Sequence, residues 1–435
     1  MIDTALPLAM AALTLTGILL GYRVGMVLGG AAALFVLISD LPTAYFSLLT
    51  SRIYANVLSN WLLVAIPMFI FMGLVLEMSG VAERSLRAAQ QALGGSAAGM
   101  GLSVLVIGVL LAASSGIVGA SVVLLALLAL PRLDEAGFDT ASAAGLVAAS
   151  GTLAILIPPS VMLIVLGDQL GAPVPSMFAG AIGPGLLLVL AYAALVFWRA
   201  RGLPPIGRET RVAPLRLLLD LGPLLGLVVA VLGSIIAGLA TPTEASGLGA
   251  FGAVLITALY GRFRRATILA AARRTVTTTA MVLFVMIGAT CFSAVFKGLG
   301  GDDLVEAGVT AFGTSPYVVL AVVMAAIFVL GFVLDWLEIT LILIPIFAPI
   351  IAGLDFGNGL SGQALLIWFG ILVAVNLQTS FLTPPFGFSL FYLRGAAGDQ
   401  LTTRDIYRGV IPFIALQLLV LALLILWPGL VTGLT

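Results

Sequence analysis

Two proline pairs, Pro158-Pro159 and Pro384-Pro385, lie 226 residues apart, each closing a run of small and polar residues inside an otherwise apolar segment. The first follows Ser150-Gly151-Thr152, and the second follows Asn376-Leu377-Gln378-Thr379-Ser380-Phe381-Leu382-Thr383. Proline has no backbone N–H and its ring clashes with the preceding turn, so a helix carrying either pair must break there. The surroundings are apolar enough to be bilayer: 61% of the 435 residues are hydrophobic, 9% are charged, and mean hydropathy is +1.23. That composition predicts an all-α polytopic membrane protein. In lipid, broken main chain survives only where protein buries it or where it lines a polar cavity. Two breaks, one in each half, point to a transporter with its binding centre near the bilayer midplane.

What is missing narrows the chemistry. Histidine is absent, which removes imidazole proton relays, b-type haem ligation and the usual zinc sites. The single cysteine, Cys291, has no internal partner and reads as packing. No organic cofactor and no nucleic-acid partner are expected; the lipid bilayer is the solvent. Residues 1–4 lack the basic stretch of a cleaved signal, so the apolar run behind them reads as a first span.

Helices are expected at 5–21, 25–39, 61–78, 176–198, 217–239, 242–261, 275–297 and 408–428. Segments 99–113 and 117–131 are shorter and flank the turn Ser114-Ser115-Gly116; 317–334 and 337–354 repeat this around Leu334-Asp335-Trp336. Both read as re-entrant helical hairpins, each followed by a proline-broken helix (139–166 and 363–393). Setting the arginines of 199–216 to the cytoplasm places every basic residue there except Arg52 and Lys297, with both termini outside. The first hairpin then enters from the cytoplasm and the second from outside, an inverted repeat. Pro131 pairs with Pro349, and Ser115 with Asp335.

At each break, freed carbonyls and hydroxyls would converge: Ser114, Ser115 and Gly116 with Ser150, Gly151 and Thr152, and Asp335 and Glu338 with Asn376, Gln378, Thr379, Ser380 and Thr383. Neutral oxygens with an occasional carboxylate suit a hard cation, Na⁺ in particular, here expected as a coupling ion near Ser115, Gly151, Thr152, Asp335, Thr379 and Thr383. Taken singly, the hydroxyls equally suit back-bonding and close helix packing. A lone carboxylate at mid-membrane costs at least about 2.5–3.5 kcal/mol, so Asp335 and Glu338 mark either a site or a tip that reaches water. Thr241-Pro242-Thr243-Glu244 has the pattern of a helix-capping box. Segment 79–98 reads as an interfacial amphipathic helix, or alternatively as an arm coupling moving and fixed parts.

Taken in order, these motifs resemble the large membrane (M) subunit of tripartite ATP-independent periplasmic (TRAP) transporters over essentially the whole chain. The marks are Ile66-Pro67-Met68-Phe69-Ile70-Phe71-Met72-Gly73, Ser150-Gly151-Thr152 with Ile157-Pro158-Pro159-Ser160, Ala240-Thr241-Pro242-Thr243-Glu244-Ala245, and Thr383-Pro384-Pro385-Phe386-Gly387. The stretches 334–339, 376–388 and 391–395 are similar to a narrower branch handling 2-oxo acids, lactate, or mannitol-like and chloroaromatic compounds. At 114–119 the chain departs from the sialic-acid and C4-dicarboxylate branches.

The resemblance implies a Na⁺-driven symporter of the ion transporter superfamily type, working by an elevator mechanism in a bacterial inner membrane and not acting as an enzyme. Scaffold spans would occupy 1–78 and 171–297, with an arm at 79–98. A transport domain would comprise 99–170 and 298–395, and a last span 396–435. It further implies a separate small membrane (Q) subunit, a periplasmic substrate-binding protein and a small organic acid as cargo. A stand-alone ion-coupled carboxylate carrier is the alternative, and a membrane-embedded enzyme using paired carboxylates is a remote one.

Overall fold

The computed structural model describes residues 5–93, 95–115, 118–204, 214–357 and 359–435. The first half contains α1 (Ala5–Leu19), α2 (Val24–Ile38), α3 (Tyr45–Ile53), α4 (Ala65–Met78), α5 (Val81–Leu93), the hairpin α6 (Ala97–Ser115) and α7 (Val118–Glu135), then α8 (Thr140–Thr152), α9 (Val161–Leu170) and α10 (Val174–Arg199). After these come α11 (Pro214–Ile236), α12 (Pro242–Leu259), α13 (Arg265–Gly298) and α14 (Gly301–Thr310). The second half repeats the scheme with α15 (Pro316–Leu330), α16 (Trp336–Ile342), α17 (Ile344–Ala352), α18 (Gly362–Leu382), α19 (Phe388–Ala397) and α20 (Thr403–Leu426), ending in α21 (Gly429–Thr432).

Among the described residues, seven helical segments are long and apolar enough to cross a membrane: Trp61–Met78, Leu219–Ile236, α10, α12, α13, α18 and α20. By contrast α1 and α2, expected to span over 5–21 and 25–39, have 15 residues each. At 1.5 Å per residue that is about 22 Å, short of the roughly 30 Å apolar thickness. The chain leaves the helical conformation at Gly21, whose φ of 83° lies in the left-handed region. Hairpin helix α6 runs longer than its apolar segment, taking Ser114 and Ser115 into its last turn.

Two groups of helices can be separated by their packing. In one, α2 and α4 lie against α13, and α4 and α11 against α12. In the other, both broken helices are gathered around α20 and α10. The first hairpin arm of each half packs on the pre-break helix of its own half, α6 on α8 and α15 on α18. The second arm also reaches the post-break helix of the other half: α7 meets α19, and α16 and α17 meet α9. The halves are therefore interlocked.

Close contact of α8 with α20 depends on two glycines. A Cβ on Gly145 would run into the Gly409 carbonyl, and one on Gly409 into the Ala141 carbonyl. Without side chains here the two backbones touch, which fixes the first broken helix against the last long one. The Thr241 box forms as its pattern predicts: the Glu244 N–H donates to Thr241 Oγ1 at 3.3 Å, and the Thr241 N–H donates to Glu244 Oε2 at 2.9 Å.

Candidate functional site: two interrupted helices joined at a buried polar centre

Each helix stops where proline removes a donor. Pro159 cannot bond the carbonyl four residues back, that of Ile155, and Pro385 cannot bond that of Phe381. Both Pro-Pro peptide bonds are cis. A serine just past each break takes over the missing bond: Ser160 Oγ donates to the Ile155 carbonyl at 2.7 Å, and Ser389 Oγ to the Phe381 carbonyl at 2.7 Å. Ile155 and Phe381 are themselves 226 residues apart, so the repair is duplicated along with the break. Both serines are fully buried. Ser160→Ala and Ser389→Ala should each orphan a buried carbonyl and lower stability by about 1–3 kcal/mol, read as a drop in the unfolding midpoint. An unchanged midpoint would show that the carbonyls find other donors.

Around the first break, Ser150 and Thr152 are fully buried. Ser150 Oγ has no hydrogen-bond partner, and Thr152 Oγ1 donates to the Ala149 carbonyl at 2.8 Å. The hairpin closes over this stretch: a Cβ on Gly108 would lie 2.6 Å from Ser150 Cβ, and one on Gly151 would lie 3.1 Å from Val122 Cα. Pro158 and Pro159 are buried, whereas Pro384 is half-buried and Pro385 exposed, so only the second break opens outward. Gly116 lies outside the described residues, as do the side chains of Ser114 and Ser115.

Around the second break, the expected polar residues divide by role. Asn376 Nδ2 donates to the Met324 carbonyl at 2.8 Å, and Ser380 Oγ to the Phe328 carbonyl at 2.9 Å. These two side chains, one turn apart, staple α18 to α15. Thr379 and Thr383 back-bond to the Val375 and Thr379 carbonyls at 2.8 and 2.7 Å. Gln378 turns the other way, toward the first half. Its Nε2 lies 3.5 Å from Thr152 Oγ1 and 3.5 Å from the Tyr192 hydroxyl, while its Oε1 has no partner.

Thr152 and Gln378 are also 226 residues apart, so the interrupted helices meet at equivalent positions. Gln417 Nε2 of α20 donates to the hydroxyl of Tyr192 on α10 at 2.8 Å, and Gln417 Oε1 is unpartnered. Thr152, Tyr192, Gln378 and Gln417 thus form a fully buried polar core inside an apolar body. Tyr192 and Gln417 escaped sequence reading because each is a lone polar residue in a long apolar helix.

Asp335 is the N-cap of α16, its Oδ1 accepting the Trp336 N–H at 2.8 Å. Glu338, at the third helical position, has an unpartnered Oε2. Helix α16 is set against α9 and α13, and the segment leading into it packs on Ser380, where a Cβ on Gly331 would lie 2.5 Å from the hydroxyl. Tyr392 of α19 lies within electrostatic reach of Asp335. The same tyrosine ring packs over Gly119 at the start of α7, so it lies between the two hairpins. No ion pair among the described residues involves Asp335 or Glu338.

Residues 9–430 match the family model of the tripartite ATP-independent periplasmic transporter, DctM component. The chain belongs to this family. It is a multi-pass membrane transporter subunit and not an enzyme. Its relatives include the isethionate TRAP transporter permease protein DctMQ of Oleidesulfovibrio alaskensis, 30% identical over 93% of this chain. The match spans 62% of that longer protein. The 2,3-diketo-L-gulonate TRAP transporter large permease protein YiaN of Escherichia coli is 27% identical, covering 97% of this chain and 98% of YiaN. Among solved structures, the YdaH transporter of Alcanivorax borkumensis superposes with a TM-score of 0.64 over 98% of both chains at 16% identity, which is a likeness of fold.

Proposed function

We propose that this chain is the large permease subunit of a Na⁺-coupled TRAP transporter importing a small organic acid. A periplasmic binding protein would deliver the cargo, and a small membrane (Q) subunit would complete the assembly. The observation that carries the reading is the meeting of the two interrupted helices at Thr152 and Gln378, with unpartnered oxygens on Ser150, Gln378 and Glu338 close by in sequence or structure. Neutral oxygens and at most two carboxylates match the preference of Na⁺ for hard ligands. An anionic cargo placed near Asp335 and Glu338, which form no ion pair among the described residues, is repelled unless a cation accompanies it. That is a physical reason for coupling.

The relatives named for isethionate and 2,3-diketo-L-gulonate support an organic acid as cargo, with a 2-oxo acid or other monocarboxylate as the narrower expectation. In this reading both hairpins are re-entrant with opposite orientation. The group around α8, α9, α18 and α19 slides as an elevator against the group around α4, α12 and α13, in the inner membrane with both termini outside.

The test is uptake in proteoliposomes holding the permease and its small subunit, with loaded binding protein outside. Uptake is expected only with an inward Na⁺ gradient. Equal rates with K⁺ on both sides would defeat coupling, and equal rates without the binding protein would defeat the three-component reading.

A further inference from the structure

We propose that Asn60 and Lys297 are positioning residues for transport: they latch the sliding group to the scaffold group at one end of the molecule, and both bonds open in each cycle. The inference rests on the elevator reading above. Two side-chain hydrogen bonds carry it, each joining an element of one group to an element of the other. Asn60 Nδ2, just ahead of α4, donates to Asp168 Oδ1 on α9 at 2.6 Å. Lys297 Nζ, in the last turn of α13, donates to the Pro345 carbonyl on α17 at 3.0 Å.

Each partner is prepared locally. Asn60 Oδ1 accepts the Leu62 N–H at 3.2 Å and caps the short turn Trp61–Val64, which fixes the amide and leaves its nitrogen for Asp168. Asp168 Oδ2 accepts from Gln169 Nε2 at 3.0 Å, leaving Oδ1 for Asn60. The Pro345 carbonyl is available because Pro349, four positions on, has no N–H to give it. Ser160 and Ser389 repair the same kind of loss from within one group; here the repair crosses the boundary. Asp302 of α14 pairs with the same ammonium at 3.6 Å.

The two bonds belong to one region of the fold. On the scaffold side, the end of α13 packs on α3 and on residues 54–58, the segment leading into Asn60; a Cβ on Gly298 would lie 2.6 Å from the Tyr45 hydroxyl. On the sliding side, α9 packs on α17. The arginine distribution sets this end outside, and the latch gives Lys297, one of two basic residues left there, a partner.

The chemistry suits a contact that holds and releases. The surfaces that meet, α4 with α9 and the C-terminal half of α13 with α16, are mainly apolar. Apolar contact is non-directional, so it permits sliding without choosing a register. Hydrogen bonds are directional and fix one register. Asn60, Asp168 and Lys297 are each half-buried, so water takes over their bonds when the groups part.

The test is disulfide trapping in the full-length permease carrying Cys291→Ala. Asn60→Cys with Asp168→Cys should cross-link on oxidation, lose uptake in the proteoliposome assay above, and regain it on reduction. Adding Lys297→Met should slow cross-linking about threefold or more, because the second bond is then gone as well; Lys297→Arg, which still donates, should not. A cross-linking rate indifferent to Lys297→Met, or failure of the pair to cross-link, would overturn the latch and spare the elevator reading. Full uptake by the cross-linked protein would overturn both. Uptake by the reduced protein that ignores Na⁺ would defeat the coupling reading alone. If the double-cysteine chain does not fold, amide exchange in the otherwise native chain replaces it. Lys297→Met should then raise exchange about threefold or more in both 161–170 and 344–352, and unchanged exchange would overturn the latch.

Discussion

Asp335→Asn is expected to lower sodium-driven uptake by about tenfold to a hundredfold while the protein stays folded. The two consequences separate because Asp335 caps a helix and, in the proposed function, also supplies charge to the cation. Its Oδ1 caps α16 by accepting the Trp336 N–H, and an asparagine carbonyl oxygen does this about equally well. Only the charge is lost, and the charge is what a cation would bind. The unpaired Oε2 of Glu338, one turn on, shows that this end of α16 has acceptor capacity to spare. Ser380→Ala provides the contrast. Its hydroxyl staples α18 to the Phe328 carbonyl, so its loss should reduce stability by about 1 kcal/mol and leave the Na⁺ dependence unaltered. Initial rates against Na⁺ concentration, measured with unfolding midpoints for both variants, distinguish the roles. A wild-type rate and Na⁺ dependence in Asp335→Asn would remove this residue from the site.

Gly409→Val is expected to prevent recovery of stable protein. A Cβ there would fall on the Ala141 carbonyl and 2.9 Å from the Gly145 nitrogen, and both are main-chain atoms that cannot rotate aside. The α8–α20 contact would have to open, at about 1–3 kcal/mol or more for the overpacking alone. Loss of that contact also frees one wall of the body carrying the first break. Gly226→Ala, on α11 with nothing near its Cβ position, should be neutral or gain up to about 1 kcal/mol from helix propensity. Size-exclusion profiles and unfolding midpoints read both; a monodisperse Gly409→Val protein with an unchanged midpoint would contradict the packing described.

The sequence carried the breaks plainly, because proline acts on its own main chain and needs no partner to be understood. Pro158-Pro159 and Pro384-Pro385 end α8 and α18 within a few residues of where local chemistry requires. The Thr241–Glu244 box was legible for the same reason, since all its atoms lie within one turn. Side-chain destinations were not. Asn376, Gln378 and Ser380 form one polar run, yet two of them turn to α15 and one to Thr152 and Tyr192. Which way each turns depends on how the halves interlock, a relation between distant segments. Ser389 and Gln417 were invisible for a related reason: their partners lie 8 and 225 residues away across a fold that spacing alone does not give.

Equilibrium binding of ²²Na⁺ to the purified permease tests most directly whether the joined breaks hold the driving ion. Saturable binding is expected, undiminished by excess K⁺, strongly weakened in Asp335→Asn, and also weakened when Thr152 or Gln378 loses its polar group. Absence of saturable binding, or full binding in all three variants, would contradict the account.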